Sequence, residues 1–120
     1  MKCNTILTGK RAEEHATNYL KKKHYQIIEQ NWRYKKAELD IIAKKNDALV
    51  FIEVKSRAYS YYGEPETAVN EKKTELIFAA AQAFMEKTNY LWAIRFDIIS
   101  IIHDNRGRPV LLKHIKDVFF

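Results

Sequence analysis

Two short runs of this sequence carry residue types that could do chemistry together. The first is Glu38-Leu39-Asp40-Ile41-Ile42 and the second is Phe51-Ile52-Glu53-Val54-Lys55. In an extended strand alternate side chains share a face, so Glu53 and Lys55 project together while Ile52 and Val54 face the other way. The stretch Lys44-Lys45-Asn46-Asp47 between the runs has the polar character of a hairpin turn. A two-residue turn at Asn46-Asp47 would pair Ala43 with Val50 and set Asp40 opposite Glu53, with Cβ atoms about 5 Å apart. Two carboxylates and an ammonium would then meet at one end of the hairpin.

Carboxylates so placed are hard oxygen ligands suited to Mg²⁺ or Mn²⁺, ions that keep several waters and accept phosphate oxygens. The main-chain carbonyl of Val54 could add a ligand. Such an ion stabilises charge on a phosphate and acidifies a water, and Lys55 could orient that water or neutralise the phosphate. The plainer reading is a solvated ladder of opposite charges, worth a few tenths of a kcal/mol. Against it stands the apolar setting, Val50-Phe51-Ile52-x-Val54, in which two carboxylates repel unless a cation joins them.

These residues need elements to position them. Helical spacing of Ala12, Ala16, Tyr19 and Leu20 predicts a first helix from about Lys10 to Lys23, capped by Thr8. An extended piece follows over Gln26 to Tyr34, then strands over Glu38 to Ala43 and Ala48 to Lys55. Arg57 to Glu66 reads as an irregular loop. A second helix runs from about Asn70 to Lys87, with Leu76, Ile77, Ala80, Ala81 and Phe84 inward. A strand over Leu91 to Ile102, a turn over Asp104 to Pro109 and an extended piece over Val110 to Ile115 complete the chain. Gly9, Gly63, Pro65, Gly107 and Pro109 fall singly and mark boundaries between elements. The expected class is α/β, a mixed sheet flanked by helices in the order αβββαβ, with an extra strand from the last extended piece.

Length and composition set outer limits. The 120 residues suit one domain spanning 1–120, with residues 1–8 read as a short flexible N-terminus. At 47% hydrophobic and 30% charged, the chain has a globular composition, and no apolar run is long enough to span a membrane. Nothing in Met1 to Thr8 has the apolar length of a signal peptide. A single cysteine, Cys3, excludes an internal disulfide and makes a cytoplasmic location the expectation. The net charge of +6, from 21 Lys and Arg against 15 Asp and Glu, nominates a polyanion as partner, although solubility alone would also explain it.

With these motifs in hand, the pattern resembles a known group. Asp40, followed after a hairpin by Glu53-Val54-Lys55, resembles the signature of the PD-(D/E)XK nuclease superfamily. From Gly9 to about Phe119 the chain resembles the YraN-like family, bacterial proteins related to archaeal Holliday junction resolvases. The likeness includes Gly9-x-x-Ala12-Glu13-x-x-Ala16, Asn31-x-Arg33, Ala68-Val69, Lys73, Arg95-Phe96-Asp97 and Ile115-Lys116-Asp117. Ala12 and Ala37 stand where that family usually has glycine, which changes backbone freedom and leaves the chemical groups intact.

The resemblance implies a restriction-endonuclease-like core and a metal-dependent nuclease acting on DNA. It implies metal ligation by Asp40 and Glu53, Lys55 as the catalytic lysine, and Glu13 completing the acidic cluster. Read from the residues alone, Glu13 is equally an ordinary glutamate favoured by the helix dipole. Arg33, Lys36, Arg57 and Lys73 are the expected phosphate contacts; Lys35 and Lys72 are weaker candidates. Tyr59, Tyr61 and Tyr62 could stack on bases, with packing slightly favoured. An ion pair within Arg95-Phe96-Asp97 would explain that motif without chemistry. Trp32 and Trp92 are expected in the core or an interface, and the four histidines as structural or surface residues. The alternative function is a non-catalytic nucleic-acid-binding module that keeps the nuclease fold. A two-fold dimer would suit junction cleavage, but the sequence displays no dimer surface.

Overall fold

The computed structural model describes residues 5–58 and 71–118. Its elements are α1 (Thr5–Lys22), β1 (Gln26–Tyr34), β2 (Ala37–Lys45), β3 (Ala48–Ala58), α2 (Glu71–Thr88), β4 (Ile94–His103) and β5 (Pro109–Ile115). The order αβββαββ is the expected one with the last extended piece a full strand. The five strands form one sheet in sequence order; β3 and β4 are parallel and all other neighbours antiparallel. That single parallel pair is joined through α2, as a parallel connection requires a crossover.

Each helix covers one face of the sheet. Ala12, Ala16 and Leu20 of α1 pack with Ile41, Val50 and Ile99, whereas Ile77, Ala80, Ala81 and Phe84 of α2 pack with Leu39, Phe51 and Phe96. Alanine on both helices lets the backbone approach the sheet closely. The second layer is stapled by aromatic rings, with Phe84 edge-on to Trp32 at 5.3 Å and Phe51 stacked on Phe96 at 5.3 Å. A fully buried Ile or Leu here contributes about 1.5–3 kcal/mol by leaving water.

Both helices end in the same way. Tyr25 N–H donates to Leu20 O at 2.9 Å and His24 N–H to Lys21 O at 3.0 Å, with His24 at φ 70°. At the end of α2, Tyr90 N–H donates to Met85 O and Asn89 N–H to Glu86 O, with Asn89 at φ 55°. These paired bonds close the last carbonyls around a left-handed residue. Asn89 tolerates that conformation well; His24 is held there because Tyr25, the next residue, is buried beside Leu20.

Several expected boundaries move. α1 starts at Thr5, so Thr8 is not its cap and Gly9 lies within the helix. Hydrogen bonding along the helix continues through a residue that composition alone marks as a breaker. β3 runs on to Ala58, taking Arg57 from the expected loop because β4 pairs with it that far. β4 begins at Ile94, and Leu91 and Trp92 are 87% and 69% exposed. Trp92 is therefore outside the core, while Trp32 packs against it. Tyr59, Tyr61, Tyr62, Gly63, Pro65 and Ala68-Val69 lie outside the described residues. Gly107 has φ 80° in the β4–β5 turn, a left-handed conformation suited to glycine.

Candidate active site

The hairpin has the register expected from its sequence. Ile41 pairs with Ile52, Ala43 with Val50, and Lys45 with Ala48 around Asn46-Asp47. The β2–β3 ladder ends at Ile41–Ile52, although β3 continues to Ala58 beside β4 and β2 extends back to Ala37 beside β1. The two strands separate there. Asp40 is the first residue of β2 past the fork, and Glu53 is its counterpart on β3.

Two features distinguish this end of the sheet from a frayed ladder. The β1–β2 register passes from Gln30–Ile41 to Trp32–Leu39, so Asn31 stands across from Asp40 without pairing. Asn31 is in the left-handed region at φ 52°, which breaks the strand locally. Correspondingly, Ile41 joins the α1 layer but Leu39 joins the α2 layer, whereas strict alternation would put both on one face. The chain rotates about Asp40. In place of a ladder bond, Asp40 Oδ2 accepts the Val54 N–H at 2.8 Å. Its carboxylate is thereby fixed against the residue between Glu53 and Lys55.

Glu53 and Lys55 do share a face, with Lys55 Nζ 3.1 Å from Glu53 Oε1. Lys73, from the first turn of α2, brings a second ammonium to 3.4 Å from the same oxygen. That oxygen is buried, and among the described residues it accepts no hydrogen bond at good geometry. Glu13 Oε1 accepts a hydrogen bond from Asn31 Nδ2 at 3.0 Å, so the residue that breaks β1 also holds the helical glutamate. Glu13 is close enough to influence Asp40 electrostatically.

The electrostatics are those of a crowded acid. Burial pushes the Asp40 carboxyl up to about 7; the Val54 N–H opposes this, and the charges of Glu13, Glu53 and Glu38 add to it. A small cleft in the fork is lined by Asp40 and Glu53 above Phe51, Ile77 and Phe96. The donor set fits a hard divalent ion: Asp40, the carboxylate of Glu53 and the adjoining main chain of Val54. Among the described residues no three His, Cys, Asp or Glu side chains converge as a ready-made ligand set. Two carboxylates with main chain and water still suffice for Mg²⁺ or Mn²⁺.

The other expected contacts fall into two groups. Lys73 lies within the acidic cluster, whereas Arg33 is exposed and 3.9 Å from Glu38, and Lys36 is exposed in the β1–β2 turn. Arg57 is partly buried on β3, two residues beyond Lys55. The role of Asn31 inside the site was missed from the sequence, and Lys73, expected as a phosphate contact, lies beside Glu53. The one signal for Asn31 was an asparagine within a β-like run, a residue that tolerates a left-handed break.

A second carboxylate, Asp97 on β4, is buried beneath the other face. It accepts from Arg95 Nε and Nη2 at 2.8 and 2.7 Å, from the Asp117 N–H at 3.1 Å, and lies 2.7 Å from His114 Nε2. His114 Nδ1 meets the Tyr19 hydroxyl at 2.9 Å, and Arg95 also reaches the Tyr25 hydroxyl. This network ties α1, β4 and β5 together. It accounts for the Arg95-Phe96-Asp97 motif as an ion pair.

No helix among the described residues is long and apolar enough to cross a membrane. Comparison with known proteins places the chain among close relatives. The model of the family described as "Uncharacterised protein family UPF0102" matches residues 12–101. A UPF0102 protein of Christiangramia forsetii is 41% identical over 112 residues, covering 93% of this chain and 92% of the relative. Those of Clostridium kluyveri and Persephonella marina are 41% and 38% identical, with 92% and 94% of this chain covered and 92% and 93% of the relatives. The motif resemblance and the fold, which is compatible with a restriction-endonuclease-like core, converge with these matches: the chain belongs to the UPF0102, or YraN-like, family.

Proposed function

We propose that this protein is a metal-dependent nuclease that hydrolyses phosphodiester bonds in DNA. The observation that carries the reading is the convergence of Asp40, Glu53 and Lys55 where β2 leaves β3, with Asp40 locked onto the Val54 N–H. A structural carboxylate would be matched by donors, whereas among the described residues Asp40 has one main-chain donor and is crowded by Glu13, Glu53 and Glu38. Asp40, Glu53 and the Val54 carbonyl would hold Mg²⁺ or Mn²⁺. When bound, such an ion stabilises charge on the scissile phosphate and acidifies a water.

The chain's own groups do the rest. Lys55 is 18% exposed, shielded enough to keep a strong field and open enough to reach a phosphate oxygen. Its ammonium would neutralise charge developing there or orient the attacking water. Glu13, held by Asn31, adds negative charge beside Asp40 and favours a cation in the cluster. Arg33, Lys36 and Arg57 supply the phosphate grip, and the net charge of +6 attracts the polyanion. Contacts made to backbone phosphates would read DNA shape more than base sequence.

The test incubates the purified protein with Mn²⁺ or Mg²⁺ and labelled duplex, single-stranded, flap and four-way-junction DNAs, beside Lys55→Ala. Cleavage by the wild type alone is expected, with the preferred DNA naming the substrate class. Binding by both proteins with cleavage by neither would instead establish the non-catalytic module.

A further inference from the structure

The layer beneath α2 continues past the cleft onto β1, at the edge of the sheet. Trp32 and Tyr34 lie two residues apart on β1, opposite Leu39 and Ala37, and pack half-buried against that layer. Leu39 precedes Asp40 and lines the cleft, so the two rings extend the apolar wall of the site outward. Their planes are 2° from parallel, with centroids 6.3 Å apart. Phe84 meets Trp32 edge-on at 5.3 Å and fixes that ring.

Each ring carries a cation. Lys87 Nζ stands 5.9 Å from the Trp32 centroid, and Lys35 Nζ 5.3 Å from that of Tyr34. Both lysines are exposed, so these contacts are of the weak, solvated kind. Over residues 32–38 and 84–88, Arg33, Lys35, Lys36 and Lys87 outnumber the acids Glu38 and Glu86. Plain packing explains half-buried rings, and the helix dipole favours Lys87 in the last turn of α2. Neither calls for a lysine over each of two parallel rings beside an acidic cleft.

An unpaired nucleic-acid strand does call for that arrangement. Its bases stack on aromatic rings while cations hold the phosphates between them, whereas a duplex keeps its bases stacked on one another. We infer that Trp32 and Tyr34, with Lys87 and Lys35, form a stacking subsite for single-stranded DNA beside the Asp40 fork. As a base arrives, the exposed ammonium swings from the ring face to the adjoining phosphate. As part of a substrate site this rests on the nuclease reading above, and it narrows the substrate to DNA with an unpaired arm.

The test titrates an oligothymidylate of about 16 nucleotides into the purified protein in EDTA. Tryptophan emission is followed in a Trp92→Phe background, where Trp32 is the one reporter. Stacking on Trp32 should quench it. By anisotropy of the labelled strand, Trp32→Leu and Tyr34→Leu should each weaken binding about tenfold, and Trp32→Phe less than about threefold. Lys87→Gln should lower the slope of log affinity against log salt by about 0.7, one phosphate contact on a single strand. Thermal unfolding checks that the ring variants fold, and the exposed Lys87→Gln tests the subsite without disturbing the core. In Mn²⁺, the wild type should cut DNA with a single-stranded arm in preference to duplex, and Tyr34→Leu should lose that preference. Unquenched emission, with binding unchanged in Tyr34→Leu and Lys87→Gln, would overturn the subsite and leave the nuclease reading intact. Loss of self-association in place of DNA binding would overturn it in favour of a contact between copies. Quenching and weakened binding, with no cleavage by any of the proteins, would keep the subsite and overturn the nuclease reading.

Discussion

Asp40 and Asp97 sit on strands of one sheet, and the fold treats them in opposite ways. Asp97 is fully buried, and burial by itself would push its carboxyl up. Hydrogen bonds from His114, Arg95 and the Asp117 N–H outweigh that and hold it below the ordinary carboxylate range. Among the described residues Asp40 has one main-chain donor and three acidic neighbours, and burial raises it to about 7. The difference separates a carboxylate matched by donors from one that the fold leaves crowded by other acids. An acid perturbed in the second way, in a cleft, is a functional-site candidate.

The contrast is broken most directly by removing each acid. Asp97→Ala leaves the guanidinium of Arg95 and the ring of His114 without their acceptor, and urea unfolding at pH 7 should show a loss of about 3–5 kcal/mol. A loss below about 1 kcal/mol would mean that the network contributes little to the fold. Its contribution is present above the unfolded carboxylate pKa and disappears as pH falls below it, since the folded value is the lower one.

Asp40→Asn should go the other way. Because the folded Asp40 keeps a proton that the unfolded chain sheds between the ordinary value of 3.8 and about 7, wild-type stability should fall as pH rises through that window and flatten above it. The variant should lack that slope and be more stable at pH 8 by about 1–3 kcal/mol, discounted for partial exposure. It should also lose Mn²⁺ binding, which in the wild type should strengthen as pH rises toward 8. A variant less stable than wild type at pH 8 would show that Asp40 is matched by donors after all.

The smallest effect concerns Asn31. Asn31→Gly keeps the left-handed backbone but removes the hydrogen bond to Glu13, and stability should change by only about 0.5 kcal/mol. If Glu13 belongs to the cleavage site, the cleavage rate in Mn²⁺ should drop roughly severalfold, a small loss of positioning. An unchanged rate would assign Glu13 to the helix alone.

Much of this was legible in the residue pattern. Period-two alternation fixes which side chains share a strand face, so Glu53 beside Lys55 needed no tertiary information. A two-residue turn at Asn46-Asp47 likewise dictates the hairpin register, and Ile41–Ile52 and Ala43–Val50 pair as expected. The apolar stripes of both helices were readable for the same reason: side-chain periodicity is local.

The remaining features depend on non-local contacts. The separation of β2 from β3 depends on their other neighbours, β1 and β4, which hold them past Ile41 and Ile52. The left-handed Asn31, the rotation at Asp40 and the bond from Val54 follow from that divergence. Lys73 and Glu53 are twenty residues apart in sequence, and only the packing of α2 on the sheet brings them together. Which groups could share a face follows from residue order alone, because alternation is a property of the backbone. The electrostatic fate of each group, Asp97 matched and Asp40 left unmatched, was decided by donors from distant segments, which no local pattern encodes.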